Sequence, residues 1–296
     1  MAIKLPNVVD KKEIIKMRVL MIGAHQDDNE FTSGGLASKL IKKGHVVQFL
    51  SMCNGCGGHH ISGPKEITAR RAKESEKVAQ LLGIKYDIWD NDDCNLIADL
   101  ATRKRTIRYI REFNPDLIIT HRTVDYMPDH RATAQLVQDA SYLLTVPNEC
   151  PDAPAMRYMP VIMCSEDKFT NPVFRPDIVV DIDSEVDVKL QIANINVSQV
   201  YEWLPYTRGE EVPQTDAERF EWLKGMDITS KTTDEEIMSA GRGYAVRYAK
   251  PAARHRQRLI ELYGEERGNK IRFAESYEIS EYGNPMSEEM KNELLK

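Results

Sequence analysis

Cysteine is scarce, with five in 296 residues: Cys53, Cys56, Cys94, Cys150 and Cys164. An odd and sparse set does not make the disulfide framework of a small secreted domain, so a reducing, cytoplasmic setting is expected. No apolar run approaches the ~18 residues that a membrane helix needs. The lysine-rich start, Met1–Met17, also lacks the apolar segment of a signal peptide, and a membrane partner is not expected. An excess of basic charge is missing too: 40 Lys and Arg against 46 Asp and Glu leave a net charge of −6. A dedicated nucleic-acid binder needs a basic face for phosphates, so nucleic acid is not an expected partner. Internal repeats and low-complexity tracts are absent. No G-x-G-x-x-G follows the first apolar run, which counts against a dinucleotide site.

What is present is a composition of 42% hydrophobic residues, enough for a full core at this length. Arg18–Ala24 is a short, nearly continuous apolar run, the pattern of a buried parallel strand. Helical spacing follows over Gly34–Lys43 and stops at Gly44, a C-cap signal. Val46–Met52 reads as a second strand, Glu66–Leu82 as an amphipathic helix ending at Gly83, and Tyr86–Trp89 as a short strand. Leu100–Phe113 reads as a helix, Leu117–Thr120 as a strand and Ala132–Leu144 as a helix. This alternation predicts an α/β fold, a Rossmann-like doubly wound, mostly parallel sheet with helices on both faces. Further strands are expected at Val161–Met163 and Asp177–Ile182, and a helix at Val186–Val200. From Tyr206 the chain is polar and mostly helical. The expected organisation is an α/β domain over residues 1–205 and a helical C-terminal extension over residues 206–296, packed on the same domain.

In open α/β sheets ligands bind at the C-terminal ends of the strands. His25-Gln26-Asp27-Asp28-Asn29-Glu30 follows the first strand, and His121-Arg122-Thr123-Val124-Asp125-Tyr126-Met127-Pro128-Asp129-His130 follows the Leu117–Thr120 strand. Imidazole and carboxylate suit a borderline divalent ion such as Zn²⁺. These two segments can supply two histidines and one carboxylate, with a second carboxylate left over as a base.

The first of them, with Gly34-Gly35 after it, resembles the His-Pro-Asp-Asp-X-Glu signature of the PIG-L (LmbE-like) family of zinc-dependent N-acetylglucosaminyl de-N-acetylases. The likeness continues at Asn54-Gly55, at Arg71 and Glu74 with Leu82-Gly83, and over His121 to Arg131. It ends at Phe174–Asp177 and Ser198-Gln199, so it spans roughly residues 18 to 200. The resemblance implies a hydrolase that removes an acyl group, usually acetyl, from an amino sugar or related glycoconjugate. It implies that His25, Asp28 and His130 bind the metal, that Asp27 is the general base, and that Asp129 orients a ligand from behind. Arg71, Asp93 and His121 are the expected substrate-binding residues, Zn²⁺ or another divalent metal is the expected cofactor, and a homo-oligomer is expected. Arg71 has a second reading, a helix charge paired with Glu74.

Two departures from the family pattern stand out. Gln26 replaces the usual proline. Met127 replaces the first histidine of the usual His-Pro-Asp-His, a group that helps stabilise the oxyanion. Losing such a donor typically costs about 10²- to 10³-fold in rate. His121, Tyr126, His59 and His60 are the candidates to replace it. The alternative reading is therefore a weakly active or inactive metal- and sugar-binding protein of the same fold. Cys53-Asn54-Gly55-Cys56 has redox spacing but runs into Gly57-Gly58 rather than a helix, which disfavours an activated thiol. The glycine-rich Gly55–Gly63 reads as a mobile loop beside the pocket. Tyr201, Trp203 and Tyr206 are a candidate stacking platform or a local packing cluster.

Overall fold

The computed structural model describes residues 16–296, so the reading of the N-terminal leader lies outside the described residues except for Lys16 and Met17. Strands are β1 (Arg18–Gly23), β2 (Val46–Cys53), β3 (Lys85–Asn91), β4 (Leu117–Thr120), β5 (Val161–Ser165), β6 (Ile178–Asp181) and β7 (Ala274–Ile279). The first helices are α1 (Asp28–Lys42), α2 (Pro64–Leu82), α3 (Leu100–Phe113), α4 (Pro128–Leu143) and α5 (Val186–Ile195). A π-helical stretch, Ser198–Trp203, leads into α6 (Leu204–Arg208), followed by α7 (Asp216–Lys224), α8 (Asp234–Ser239) and α9 (Tyr244–Arg254). The chain closes with α10 (Arg256–Tyr263), α11 (Glu265–Gly268), β7 and α12 (Glu288–Leu295).

The sheet order is β3-β2-β1-β4-β5-β7-β6. β1 pairs in parallel with β2 on one side and β4 on the other, and β5 extends β4 in parallel. Period-two alternation on the central strands feeds two cores. Val19 and Met21 face α1, α2, α5 and α9 through Leu36, Val78, Ile192 and Ala249. Leu20 and Ile22 face α3 and α4 through Ile107, Ile110, Leu136 and Val137. All four β1 residues have no exposed surface, and each such side chain contributes about 1.5–3 kcal/mol relative to exposure.

The structure corrects two helix starts. α1 begins at Asp28 rather than Gly34, and α4 at Pro128 rather than Ala132. Polar first turns hide both starts from apolar periodicity. In α1 the Asp27 N–H donates to Glu30 Oε2 at 3.2 Å, and in α4 proline occupies the first turn, where its missing N–H costs nothing. The shift places Asp28, Asp129 and His130 in helical first turns rather than in loops.

Residues 206–296 are mainly helical, and they also supply β7, antiparallel between β5 and β6. Its sequence, AESYEI, puts Glu275, Ser276 and Glu278 among the apolar positions, so no strand signal stands out. Glu275 explains why a carboxylate sits in a central strand. It accepts from Gly35 N at 2.9 Å and Leu36 N at 2.7 Å, inside α1. Lys189 Nζ donates to Phe31 O at 2.9 Å and to Glu275, and the Tyr277 hydroxyl lies 3.3 Å from Thr32 O. These donors and acceptors are the ones an unbroken helix would join to each other. A buried polar cluster is thus inserted one turn beyond the N-terminus of α1. Gly35 leaves room for it, because a Cβ there would lie 2.9 Å from Ile182 and 3.1 Å from Glu275 Oε1.

Candidate metal centre and active site

The reversal of connection around β1 opens a crevice at the C-terminal ends of β1 and β4, the usual ligand position in a doubly wound sheet. Gly23 ends β1 without a side chain, since a Cβ there would come within 2.8 Å of Asp28 Cβ. The chain can therefore turn directly from strand into α1. Asp27, at the N-cap, has φ 111°, ψ −27°, a left-handed conformation that costs a non-glycine residue about 1–3 kcal/mol.

His25, Asp28 and His130 come together with one potential ligand atom each, all within 4.8 Å of one another. Asp28 Oδ2 accepts the His25 N–H at 2.7 Å and lies 3.6 Å from His25 Nδ1, while Asp28 Oδ1 is 3.3 Å from His130 Nε2. The far nitrogen of each imidazole meets a second carboxylate. His25 Nε2 is 2.8 Å from Asp129 Oδ2, and His130 Nδ1 is 3.0 Å from Asp125 Oδ1. Such outer carboxylates fix the tautomer and raise the basicity of a ligating histidine. Asp129 has no exposed surface and also accepts Cys94 N at 2.6 Å and Leu96 N at 3.2 Å. Asp125 accepts Met127 N at 2.8 Å. Asp125 was not singled out from sequence. Its only signal was a carboxylate in the strand-end segment that also carries His130.

The electrostatics fit a cation. Burial alone would lower both imidazoles, yet Asp129 and Asp28 raise His25 to about 9, and Asp28 with Asp125 raises His130 to about 10. Burial would lift Asp28 too, but His130 and His121 hold it well below the usual carboxylate range. The carboxylates thus demand two positive charges in one small volume. Two protons or one divalent ion on the same nitrogens would supply them. Cys53 also approaches His25 and Asp129, but burial pushes its thiol far up. That leaves an N/O donor set, and it leaves no activated thiol for redox chemistry; all five cysteines are free.

Asp27 remains at the rim of this cluster with its side chain 15% exposed. Burial first, and then Asp28, push it up to about 6 against the pull of Arg71. Arg71 is buried, donates to Gln26 O, and places Nη2 3.3 Å from Asp27 Oδ1 and Nη1 3.6 Å from Asp93 Oδ2. Glu74 is occupied elsewhere, accepting Ser198 N at 2.9 Å and Ser198 Oγ at 2.6 Å. Asp93 accepts Gly55 N at 2.7 Å and Gly57 N at 3.1 Å, tying the glycine-rich loop to the site. His121 accepts Ala24 N at 3.1 Å, and its ring stacks on His130 at 4.1 Å.

No imidazole occupies the Met127 position at the N-cap of α4. His59 is committed to Glu202 at 2.7 Å, and His60 stacks on Tyr206 at 3.9 Å. Tyr126 is 74% exposed with its ring 5.5 Å from that of His130. Partial desolvation beside the cluster and the charges of Asp28 and Asp27 push its pKa up to about 12, so it stays a proton donor at neutral pH.

Residues 20–141 match the family model PIG-L, described as GlcNAc-PI de-N-acetylase. A curated relative, the 4-oxalmesaconate hydratase of Pseudomonas putida, is 24% identical over 197 residues, covering 64% of this chain and 76% of its own length. Among solved structures, the N,N'-diacetylchitobiose deacetylase of Pyrococcus horikoshii superposes with TM-score 0.62 at 22% identity, covering 89% of this chain and 84% of that one. The 4-carboxy-2-hydroxymuconate hydratase of Pseudomonas putida KT2440 does so with TM-score 0.66 at 18% identity, covering 92% and 99%. Among the described residues no helix is long and apolar enough to cross a membrane. The chain is thus similar over residues 20–141 to the PIG-L family model, and it shares the LmbE-like α/β fold of these solved structures.

Proposed function

We propose that the protein is a metal-dependent hydrolase that removes an N-acyl group, acetyl in the simplest case, from an amino sugar or glycoconjugate. The observation that carries this reading is the convergence of His25, Asp28 and His130 within 4.8 Å, beside a half-buried Asp27 whose pKa is raised to about 6. His25, Asp28 and His130 would hold a divalent ion, with Zn²⁺ favoured by two imidazoles and one carboxylate. Such an ion supplies Lewis acidity, acidifying a water and polarising a carbonyl.

The chain's own groups do the rest. Asp27 takes a proton from the attacking water and returns it to the leaving amine; its pKa lies close to the operating pH, where acid–base catalysis is most effective. Arg71 and Asp93, engaged by the protein itself, position Asp27 and the loop at Gly55. His121 buttresses His130 by stacking. The Tyr126 hydroxyl donates to the oxygen that becomes negative, in place of the histidine that Met127 replaces. Support for this assignment is its exposure and its retained proton.

The test is acetate release from N-acetylated sugars by metal-loaded protein. One divalent ion per chain, loss of activity with metal retained in Asp27→Asn, and a fall of at least tenfold in kcat for Tyr126→Phe are expected. Full activity in Asp27→Asn refutes the assigned base. A second reading is favoured by Met127 and by the hydratase relative: the same water-activating groups add water across a carbon–carbon double bond, or the protein binds sugar and metal with negligible turnover. Met127→His separates these readings, because a large gain in acetate release marks an impaired deacetylase. An unchanged rate with intact ligand binding marks the alternative.

A further inference from the structure

Between His25 and Asp27, Gln26 carries a buried carboxamide that nothing in the protein satisfies. The residue is 1% exposed, and neither Oε1 nor Nε2 has a hydrogen-bond partner among the described residues. Arg71 donates through Nη2 to the Gln26 carbonyl, and the same nitrogen lies 3.3 Å from Asp27 Oδ1, yet its Nε is unpaired too. Buried polar groups without partners are few in folded proteins, and each calls for a reason. Gln26 stands where the PIG-L signature has proline, a residue with no such group to satisfy.

The loop from β2 to α2 covers this carboxamide. A Cβ on Gly55 would lie 2.6 Å from Gln26 Oε1 and 2.9 Å from Arg71 Cδ, and one on Gly58 would lie 2.7 Å from Arg71 Nη1. Glycine at both positions lets the backbone press onto these two side chains, and Gly55 also has φ 84°. The loop is a strap fastened by polar contacts and one ring stack. Asp93 accepts Gly55 N and Gly57 N, and Gln199 Nε2 donates to Gly58 O at 3.0 Å. His59 Nε2 is 2.7 Å from Glu202 Oε2, and Arg70 grips the same carboxylate at 2.7 and 2.8 Å. The His60 ring lies 3.9 Å from that of Tyr206, inclined by 6°. No apolar side chain from residue 54 to residue 63 is buried, and Ile61 is 81% exposed. Segments with so little buried apolar surface open at the lowest free energy.

We infer that Gln26 is a specificity-determining residue: when the strap over residues 55–63 lifts, its carboxamide pairs with a substrate hydroxyl next to the amide that reacts over Asp27. A carboxamide offers donors and an acceptor side by side, and a hydroxyl answers with its own O–H and lone pairs. The identity of the reacting amide rests on the de-N-acylase reading above, whereas the unpaired carboxamide and the strap do not.

The experiment compares full-length, metal-loaded protein with two variants. Gln26→Met keeps the length of the side chain and removes its polar atoms; Tyr206→Ala breaks the ring stack. The probes are N-acetylglucosamine and its 3-deoxy analogue, which lacks the hydroxyl next to the acylamino group. By acetate release, kcat/KM should favour N-acetylglucosamine by about 3- to 10-fold in the unaltered protein, the size of one neutral hydrogen bond. In Gln26→Met the ratio should fall to near one, through KM rather than kcat. Without substrate, Gln26→Met should melt about 2–4 °C higher, because the unpaired group is gone. Hydrogen exchange at residues 57–62 should be fast beside that of β1, and faster still in Tyr206→Ala. An unchanged probe ratio in Gln26→Met overturns the inference. A lower melting temperature does so as well, since the carboxamide would then be paired in the free protein. Exchange at residues 57–62 as slow as in β1, and unmoved by Tyr206→Ala, removes the strap and the inference with it. Acetate release from neither probe refutes the deacylation reading. Calorimetry then decides the rest: N-acetylglucosamine binding that Gln26→Met weakens keeps the assignment, and no binding or no weakening overturns it.

Discussion

Lys189→Met tests the buried polar cluster that splits α1. Lys189 has no exposed surface, donates to Phe31 O at 2.9 Å and to Glu275, and holds its ammonium 4.1 Å over the Tyr248 ring. Methionine fills similar space but carries no charge. Glu275, 3% exposed, would keep its two N–H donors from α1 while losing its cation. Breaking one side of a buried ion pair costs about 3–5 kcal/mol, and leaving a carbonyl such as Phe31 O unpaired costs about 1–3 kcal/mol. The two costs overlap, so about 3–5 kcal/mol is expected, a large part of the roughly 5–15 kcal/mol that holds a domain together. Urea unfolding of chelator-treated protein measures it, since bound metal would otherwise add its own stabilisation. Glu275→Gln alone should cost less, and the double variant should be clearly less destabilised than the sum of the two, because the unpaired charge is gone. The same break lies one turn beyond Asp28, so Lys189→Met should also weaken metal binding. A loss below about 1 kcal/mol, or strict additivity in the double variant, would show that α1 does not depend on this cluster.

Three further outcomes follow from the same interactions. Arg71→Met removes the main charge that holds Asp27 down, and an opposite charge at this range lowers a carboxylate by about 1–3 units. The base must be ionised to act, so the acid limb of kcat/KM should move to higher pH by about that amount, and an unmoved limb would rule out Asp27 as the base. Asp27→Gly relieves the φ of 111° and removes a carboxylate that folding pushes up, so metal-free protein should gain about 1 kcal/mol while losing turnover; a loss of stability would show that the Arg71 contact outweighs the strain. Glu166 takes hydrogen bonds from Ser276 and Arg254 and lies 3.1 Å from His255 Nε2. Although burial would raise it, His255 and Ser276 hold it below its ordinary 4.5. Its contribution to stability is thus complete above that value and disappears as pH falls through the lower folded value. Glu166→Gln should flatten the acid side of the stability profile, as read by thermal melts between about pH 3 and pH 6, and an unchanged slope would dismiss this pairing.

Much of the architecture was legible because burial writes itself into periodicity. Continuous apolar runs at β1, β2 and β4, separated by amphipathic helices, determined the parallel sheet, and the strand-end position of His25, Asp27, Asp28 and His130 marked the crevice where ligands bind. Helix starts were illegible because Asp28–Glu30 and Pro128–His130 are polar first turns that follow N-terminal geometry and carry no apolar stripe. β7 was illegible for a related reason, since Glu275 interrupts the strand to serve α1 about 240 residues earlier in the chain.

The sequence by itself determined which chemistry was available, two imidazoles and several carboxylates at the edge of an α/β sheet. Only the tertiary structure decided how they divide the work. Asp129 stands behind His25, and Arg71 faces Asp27 rather than Glu74. Such pairings depend on distances between segments 44 to more than 100 residues apart, which folding sets and local pattern does not record.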